Sequence, residues 1–287
     1  MTRIHHRYAD VRGHRLFYRE AGPATAPTLV LLHGFPASSF MFRNLIPLLA
    51  DRWHIIAPDH LGFGESDAPP VSGFDYTFDA LTDLTAELLG QLGADRYALY
   101  VQDFGAPIGW RLAVRDPSAV TAIISQNGNA YQEGFVKSYF QPVWDYWNEQ
   151  NAETEAAIRQ GFTLEAIRWQ YLTGVVDESL VDPSTWQHDH AVLSRPGYDL
   201  LQLQLCRDYS SNLALYPLVH RYFREHQVPL LAVWGRSDPI FAAPGALAFA
   251  DDLPTAEIHL LEGGHFLLES ALDEAAALIR AFLIANL

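Results

Sequence analysis

The sequence predicts an α/β chain: a mostly parallel sheet flanked by helices, with a helical cap inserted between two of its strands. Three observations carry this. Short apolar runs alternate with segments of helical period from residue 15 to residue 125. The alternation stops across 130–215, where Trp and Tyr are frequent and no buried strand is legible. It then resumes with two more apolar runs and a closing amphipathic segment. Strands alternating with helices favour a parallel sheet covered on both faces, because parallel neighbours need crossover helices.

Each element has a local reason. Residues 15–19 and 28–32 read as strands, the second almost wholly apolar, as a strand buried on both faces should be. Residues 40–50 read as a short helix. Residues 53–57 form another apolar run, ended by Pro58-Asp59, and 61–70 is a loop punctuated by Gly and Pro. Residues 78–92 carry helical periodicity, with Gly93 as a stop. A strand at 96–101, a helix at 106–114 closed near Pro117, and a strand at 120–125 follow. After the break come strands at 229–235 and 256–261 and a helix over 273–284. These assignments divide the chain into a first core part at 1–129, a cap at 130–215 and a second core part at 216–287.

Composition narrows the function classes. Of the 287 residues 49% are hydrophobic and 18% charged, enough to bury a sizeable core. A net charge of -15 disfavours nucleic acid and anionic membrane surfaces. No apolar run reaches the ~18 residues of a membrane span. Cys206 stands alone, so no internal disulfide forms. The first ten residues lack the apolar core of a secretory signal. A cytoplasmic protein, acting as a monomer or homodimer, is the expectation.

The most informative position is Asp103. In Leu99-Tyr-Val-Gln-Asp-Phe-Gly105 it sits between an apolar run and a helix-like segment, the setting of a strained strand-to-helix turn that displays a nucleophile. A carboxylate there attacks an alkyl carbon and becomes an ester of the enzyme. Asp238, in Gly235-Arg-Ser-Asp238, and His265, in Gly263-Gly-His265, each follow a later strand. The chain order is nucleophile, acid, histidine. A carboxylate needs no base to attack, so His265 is assigned to the later step, activating water against the ester, with Asp238 holding its tautomer. The backbone N–H groups of Phe35 and Phe104 are the candidate donors to the oxyanion of that step.

Other polar residues read more simply. His33 and Asp59 are expected to organise loops. Asn127, an amide after a strand, cannot serve as the catalytic acid. His188, Asp189 and His190 do not make a convincing metal site. Gly62 and Gly64 are turn residues and not part of a dinucleotide loop. Neither cofactor nor metal is expected.

The motifs Leu32-His-Gly-Phe-Pro36, Asp59-His-Leu-Gly-Phe-Gly-Glu-Ser-Asp67, Val101-Gln-Asp-Phe-Gly105, Gly235-Arg-Ser-Asp238 and Gly264-His265 resemble the α/β-hydrolase superfamily. More narrowly, they resemble the branch holding soluble epoxide hydrolases and haloalkane dehalogenases. The resemblance spans nearly the whole chain and implies the α/β-hydrolase fold and an Asp nucleophile. Haloalkane dehalogenases typically place Trp after the nucleophile and often Asn after the His-Gly pair, to hold the halide. Here those places are Phe104 and Phe35, which lack side-chain donors. Fluoroacetate dehalogenases carry arginines where this chain has Phe104 and Pro107. Epoxide hydrolases use cap tyrosines to donate to the epoxide oxygen. Tyr209, in Asp208-Tyr-Ser-Ser-Asn212, resembles the second of these, and Tyr139 and Tyr146 are candidates for the first. The resemblance therefore implies an epoxide hydrolase acting on a small apolar organic substrate with water. The alternatives are a haloalkane dehalogenase with an atypical halide site and a non-catalytic hydrolase fold used for binding.

Overall fold

The computed structural model describes residues 3–287. Eight strands form one sheet in the order β1-β2-β4-β3-β5-β6-β7-β8. They are β1 (His5–Val11), β2 (His14–Ala21), β3 (Thr28–Leu32), β4 (His54–Pro58), β5 (Tyr97–Val101), β6 (Val120–Gln126), β7 (Leu230–Gly235) and β8 (Glu257–Leu261). β2 runs antiparallel to β1 and β4, and every pairing from β4 across to β8 is parallel. The apolar runs at 28–32 and 96–101 became β3 and β5, buried on both faces. β1 has no counterpart among the expected strands. It lies at the sheet edge with nearly all its residues at least partly open to solvent, so it carries no apolar alternation to read. A two-residue turn, Arg12-Gly13, both at positive φ, closes it onto β2.

Helices α1 (Ile46–Leu49), α2 (Phe78–Gln91) and α3 (Gly105–Arg115) belong to the first core part. The expected helix over 40–50 is divided into a 3-10 turn, Ser39–Phe42, and α1. Pro47 explains the break, because proline is accommodated in a first helical turn and not farther in. Between β6 and β7 lie α4 (Lys137–Asn148), α5 (Ala152–Gln160), α6 (Leu164–Leu172), α7 (Ser184–Leu193), α8 (Tyr198–Asp208) and α9 (Ser210–His226). These helices form the cap insertion. The boundary placed at 215 falls inside α9, which continues to a left-handed cap at Gln227 before β7 begins. α10 (Ala243–Leu247), α11 (Phe249–Asp252), α12 (Leu267–Ser270) and α13 (Leu272–Asn286) complete the core. Among the described residues no helix is long and apolar enough to cross a membrane.

Two features position the site. The first is the strand order: β3 is flanked by β4 on one side and β5 on the other, so the chain reverses its direction of travel across the sheet there. Ligands of open α/β sheets bind beyond the carboxyl ends of strands at such a reversal. The second is a clamp joining cap to core. Arg111, on α3 and almost fully buried, donates to Pro107 O at 3.1 Å, Asn212 Oδ1 at 2.7 Å, Ser211 Oγ at 2.8 Å and Asp79 Oδ1 at 2.8 Å. Phe78 N–H, at the start of α2, reaches Asp208 Oδ2 at 2.8 Å.

Removing the guanidinium leaves Asn212 Oδ1 without its partner inside the protein. Arg111→Met is therefore expected to lower stability by about 2–3 kcal/mol, the scale of lost hydrogen bonds to a charged group. Urea unfolding monitored by circular dichroism checks this; a midpoint equal to that of the parent would show that the clamp does not bear on stability.

Candidate active site

The turn after β5 is built by close approach. Asp103 has φ +46, in the left-handed region that most residues avoid. Gly105 N–H closes on Gln102 O at 2.7 Å, and Ala106 N–H on Asp103 O at 2.9 Å. A Cβ at Gly105 would stand 2.1 Å from Leu32 O, and one at Gly34 would stand 2.3 Å from Asp103 Cβ. Only glycine allows the turns after β3 and β5 to touch. That contact brings Phe35 N–H to Asp103 Oδ1 at 2.6 Å. Burial raises the Asp103 carboxyl above the usual carboxylate range, against the pull of His265 and of the Phe35 and Phe104 N–H groups. Both N–H groups expected to face an oxyanion thus already face this carboxylate.

His265 and Asp238 meet Asp103 from beyond the ends of β8 and β7. His265 Nδ1 lies 2.9 Å from Asp238 Oδ2, and Nε2 lies 3.9 Å from Asp103 Oδ2. The three residues assigned from their chain order therefore converge. Asp238 is held on both oxygens. Oδ1 accepts the N–H groups of Ile240 at 2.7 Å and Phe241 at 3.1 Å, and Oδ2 also accepts Asn127 Nδ2 at 2.6 Å. Asn127 is thus a donor that orients Asp238, a part that its side chain type did not announce. Gln102 is a second residue that sequence reasoning passed over. Its amide nitrogen lies 2.9 Å from His265 Nε2, and its Oε1 accepts Gly34 N–H at 3.1 Å. Its adjacency to Asp103 was the available signal.

A cavity of about 510 Å³ opens over Asp103, between the core turns and the cap. Its walls include Phe104, Phe162, Trp169, Tyr139 and Tyr209. Tyr139, on α4, stacks on Trp169 with ring centres 6.0 Å apart. Tyr209, at the junction of α8 and α9, stacks on Trp147 at 6.2 Å and contacts the Phe104 ring at 5.8 Å. Neither hydroxyl has a hydrogen-bond partner among the described residues, whereas buried Tyr100 and Tyr171 donate to Gln126 and Asp189. Burial and the nearby Asp103 carboxylate push both phenols up, so both remain protonated donors at neutral pH. Tyr146 is placed elsewhere: it packs with Ile158 and Leu203 in a separate small core and is not part of the cavity wall.

The remaining polar residues hold loops. Asp59 accepts the N–H groups of Ser39 and Glu65 at 2.7 and 2.8 Å. His33 Nε2 accepts His60 N–H at 3.1 Å, and burial takes its imidazole down to about 4, a neutral structural histidine. Asp189 is occupied by Tyr171 and His188. A larger hollow of about 840 Å³, lined by Pro27, Arg96 and Leu287 among others, is bounded by none of Asp103, Asp238 and His265.

Comparison with known proteins agrees with this fold. The profile of the alpha/beta hydrolase fold family matches residues 27–272. The chain is 40% identical over 261 residues to an uncharacterized hydrolase of Saccharomyces cerevisiae, covering 90% of this chain and 89% of that one. It is 30% identical over 301 residues to haloalkane dehalogenase 2 of Mycobacterium tuberculosis, covering 96% and 94%. The crystal structure of epoxide hydrolase A from Mycobacterium thermoresistibile superposes with a TM-score of 0.76 at 23% identity, covering 98% of each chain. The chain belongs to the alpha/beta hydrolase fold family.

Proposed function

We propose that this hydrolase opens epoxides through an ester on Asp103. The observation that carries the reading is the pair of unpartnered hydroxyls, Tyr139 and Tyr209, on the wall of the cavity that Asp103 enters. An epoxide oxygen becomes an alkoxide as its ring opens, and two O–H donors suit that developing charge. A departing halide would need comparable donors, yet Phe35 and Phe104 offer none from their side chains. The Trp147 indole N–H, beside Tyr209, is already committed to Cys206 O at 2.7 Å.

In the proposed course Asp103 Oδ2 attacks one epoxide carbon and the C–O bond breaks. Tyr139 and Tyr209 hydrogen-bond the ring oxygen, and one of them gives it a proton, so that it stays on the adjacent carbon as a hydroxyl and that tyrosine is left as a phenolate. Asp103 Oδ1 becomes the ester carbonyl oxygen, still beside the Phe35 and Phe104 N–H groups. Water then adds to the carboxyl carbon while His265 Nε2 takes its proton, and Asp238 stabilises the imidazolium. Negative charge gathers on Oδ1, where the two N–H groups meet it. Collapse breaks the bond from the carboxyl carbon to Oδ2, which leaves in the diol with the proton that His265 held; the proton left on the carboxyl returns to the tyrosine phenolate, and the restored carboxylate carries one oxygen from water. The apolar walls favour a small apolar substrate.

A haloalkane dehalogenase is the second reading, favoured by the 30% identity with a protein of that name. A binding protein without turnover is disfavoured by the bonded Asp238–His265 pair beside Asp103.

Three expectations follow from the mechanism. Asp103→Asn removes the nucleophile and should cost about 10³-fold or more in rate with an unchanged circular dichroism spectrum. Near-parent turnover by protein that mass spectrometry shows still to be Asn at 103 would remove Asp103 from the mechanism. His265→Gln should alkylate and stall: mixed with an aryl epoxide, it should gain one substrate mass, mapped to Asp103. Full steady-state turnover by this variant, or an adduct elsewhere, would contradict the two-step course. Tyr139→Phe and Tyr209→Phe should each slow alkylation by epoxide about ten- to hundredfold, and the double variant about 10³-fold or more. Stopped-flow alkylation measures this. Unchanged rates would exclude the tyrosines, and an adduct from a haloalkane but from no epoxide would establish the dehalogenase reading instead.

A further inference from the structure

We propose that Gln102 is a positioning residue that holds His265 as a neutral imidazole protonated on Nδ1, with Nε2 kept as a proton acceptor. The inference rests on hydrogen-bond complementarity. Gln102 is fully buried, and its backbone is fixed by Gln102 N–H to Leu32 O at 3.0 Å and Gly105 N–H to Gln102 O at 2.7 Å. Its side-chain carbonyl accepts Gly34 N–H at 3.1 Å. That contact sets the amide orientation, because the NH2 group cannot accept from an N–H. The NH2 group therefore faces His265 Nε2, 2.9 Å away. An amide NH2 only donates, so Nε2 must present its lone pair. On the other side of the ring, Nδ1 faces Asp238 Oδ2 at 2.9 Å, an acceptor, so Nδ1 must carry the hydrogen. Two independent contacts select the same tautomer.

The charged groups facing the ring act the other way. They are the Asp238 carboxylate on Nδ1 and the Asp103 carboxylate beside Nε2; the rings of Phe241 and Phe266 stand 6.0 and 5.1 Å off. Burial favours the neutral ring, but the two carboxylates outweigh it and raise the imidazole above its ordinary value. Gln102 opposes them at Nε2, since protonation there would set two donors against each other at 2.9 Å. His265 works as a base only when neutral, so its activity is present above its protonation midpoint and is lost as pH falls through it. A donor on Nε2 lowers that midpoint and extends the working range downward in pH.

The part of this inference that concerns ester hydrolysis rests on the proposed function; the part that concerns the tautomer stands without it. Imidazole ¹⁵N NMR of the whole protein tests the latter, with the His265 signals identified by their loss in His265→Gln. In the parent protein the neutral His265 ring should carry its proton on Nδ1. Gln102→Glu keeps the acceptor for Gly34 N–H but turns the donor into an acceptor. It should raise the His265 midpoint by about one pH unit or more, a tenfold gain in proton affinity. Gln102→Met removes the donor and should raise the midpoint by a smaller amount; it decides the matter if the glutamate variant does not fold. A parent ring protonated on Nε2, or an unmoved midpoint in Gln102→Met, overturns the proposal. In parallel, the acid limb of alkyl-enzyme hydrolysis after mixing with styrene oxide should shift upward with the NMR midpoint. If NMR behaves as described while no epoxide gives an adduct, the epoxide reading falls and the assignment of Gln102 stands.

Discussion

The site depends on one steric constraint: two turns touch where neither can carry an extra carbon. A Cβ at position 34 would lie 2.3 Å from Asp103 Cβ, and one at 105 would lie 2.1 Å from Leu32 O. Glycine at these places lets the chain after β3 rest on the chain after β5. Everything chemical at Asp103 follows from that contact. It seats a carboxylate oxygen against Phe35 N–H, holds Asp103 at positive φ, and aligns α3 under the turn. The parallel pairing of Leu32 with Val101 keeps the two strand ends level, so the turns meet without slack.

A buried carboxylate is costly unless its neighbours replace the water it loses. Here the replacement is a continuous chain of polar contacts. Asn127 donates to Asp238, Asp238 faces His265, His265 accepts from Gln102, and Gln102 accepts from Gly34. Gln126 ties the chain back to the sheet by donating to His265 O and Asn127 Oδ1. Networks of this kind stay rigid because each member has one satisfied orientation, and breaking any link strands a buried group. The rigidity fixes the ring plane and tautomer of His265 before any substrate arrives.

Cap and core divide the work. The core strand ends supply the carboxylates, the histidine and the backbone donors, all placed by the sheet. The cap supplies aromatic walls and hydroxyls, placed only by packing. The Arg111 clamp links the two, because it grips Ser211 and Asn212 in the first turn of α9, immediately after Tyr209. Cap placement is therefore connected to the same helix, α3, that begins beside Asp103.

The sequence by itself determined what depends on neighbours along the chain. Apolar runs of strand length became β3 to β8, and the order Asp103, Asp238, His265 was legible because each residue follows its own strand. Glycine and proline marked the turns. Tertiary structure decided what depends on neighbours across space. β1 escaped notice because an exposed edge strand has no apolar face. The helix over 40–50 was divided ahead of Pro47, which sits in the first turn of α1, and α9 ran past 215 because its second half packs on the core. Tyr139 and Tyr146 show the limit most clearly. Seven residues apart on α4, they share a face in helical periodicity. The cavity covers the first, while Ile158 and Leu203 cover the second. Gln102 was hidden for the same reason: whether a buried amide fills a core or holds a histidine depends on a residue 163 positions away.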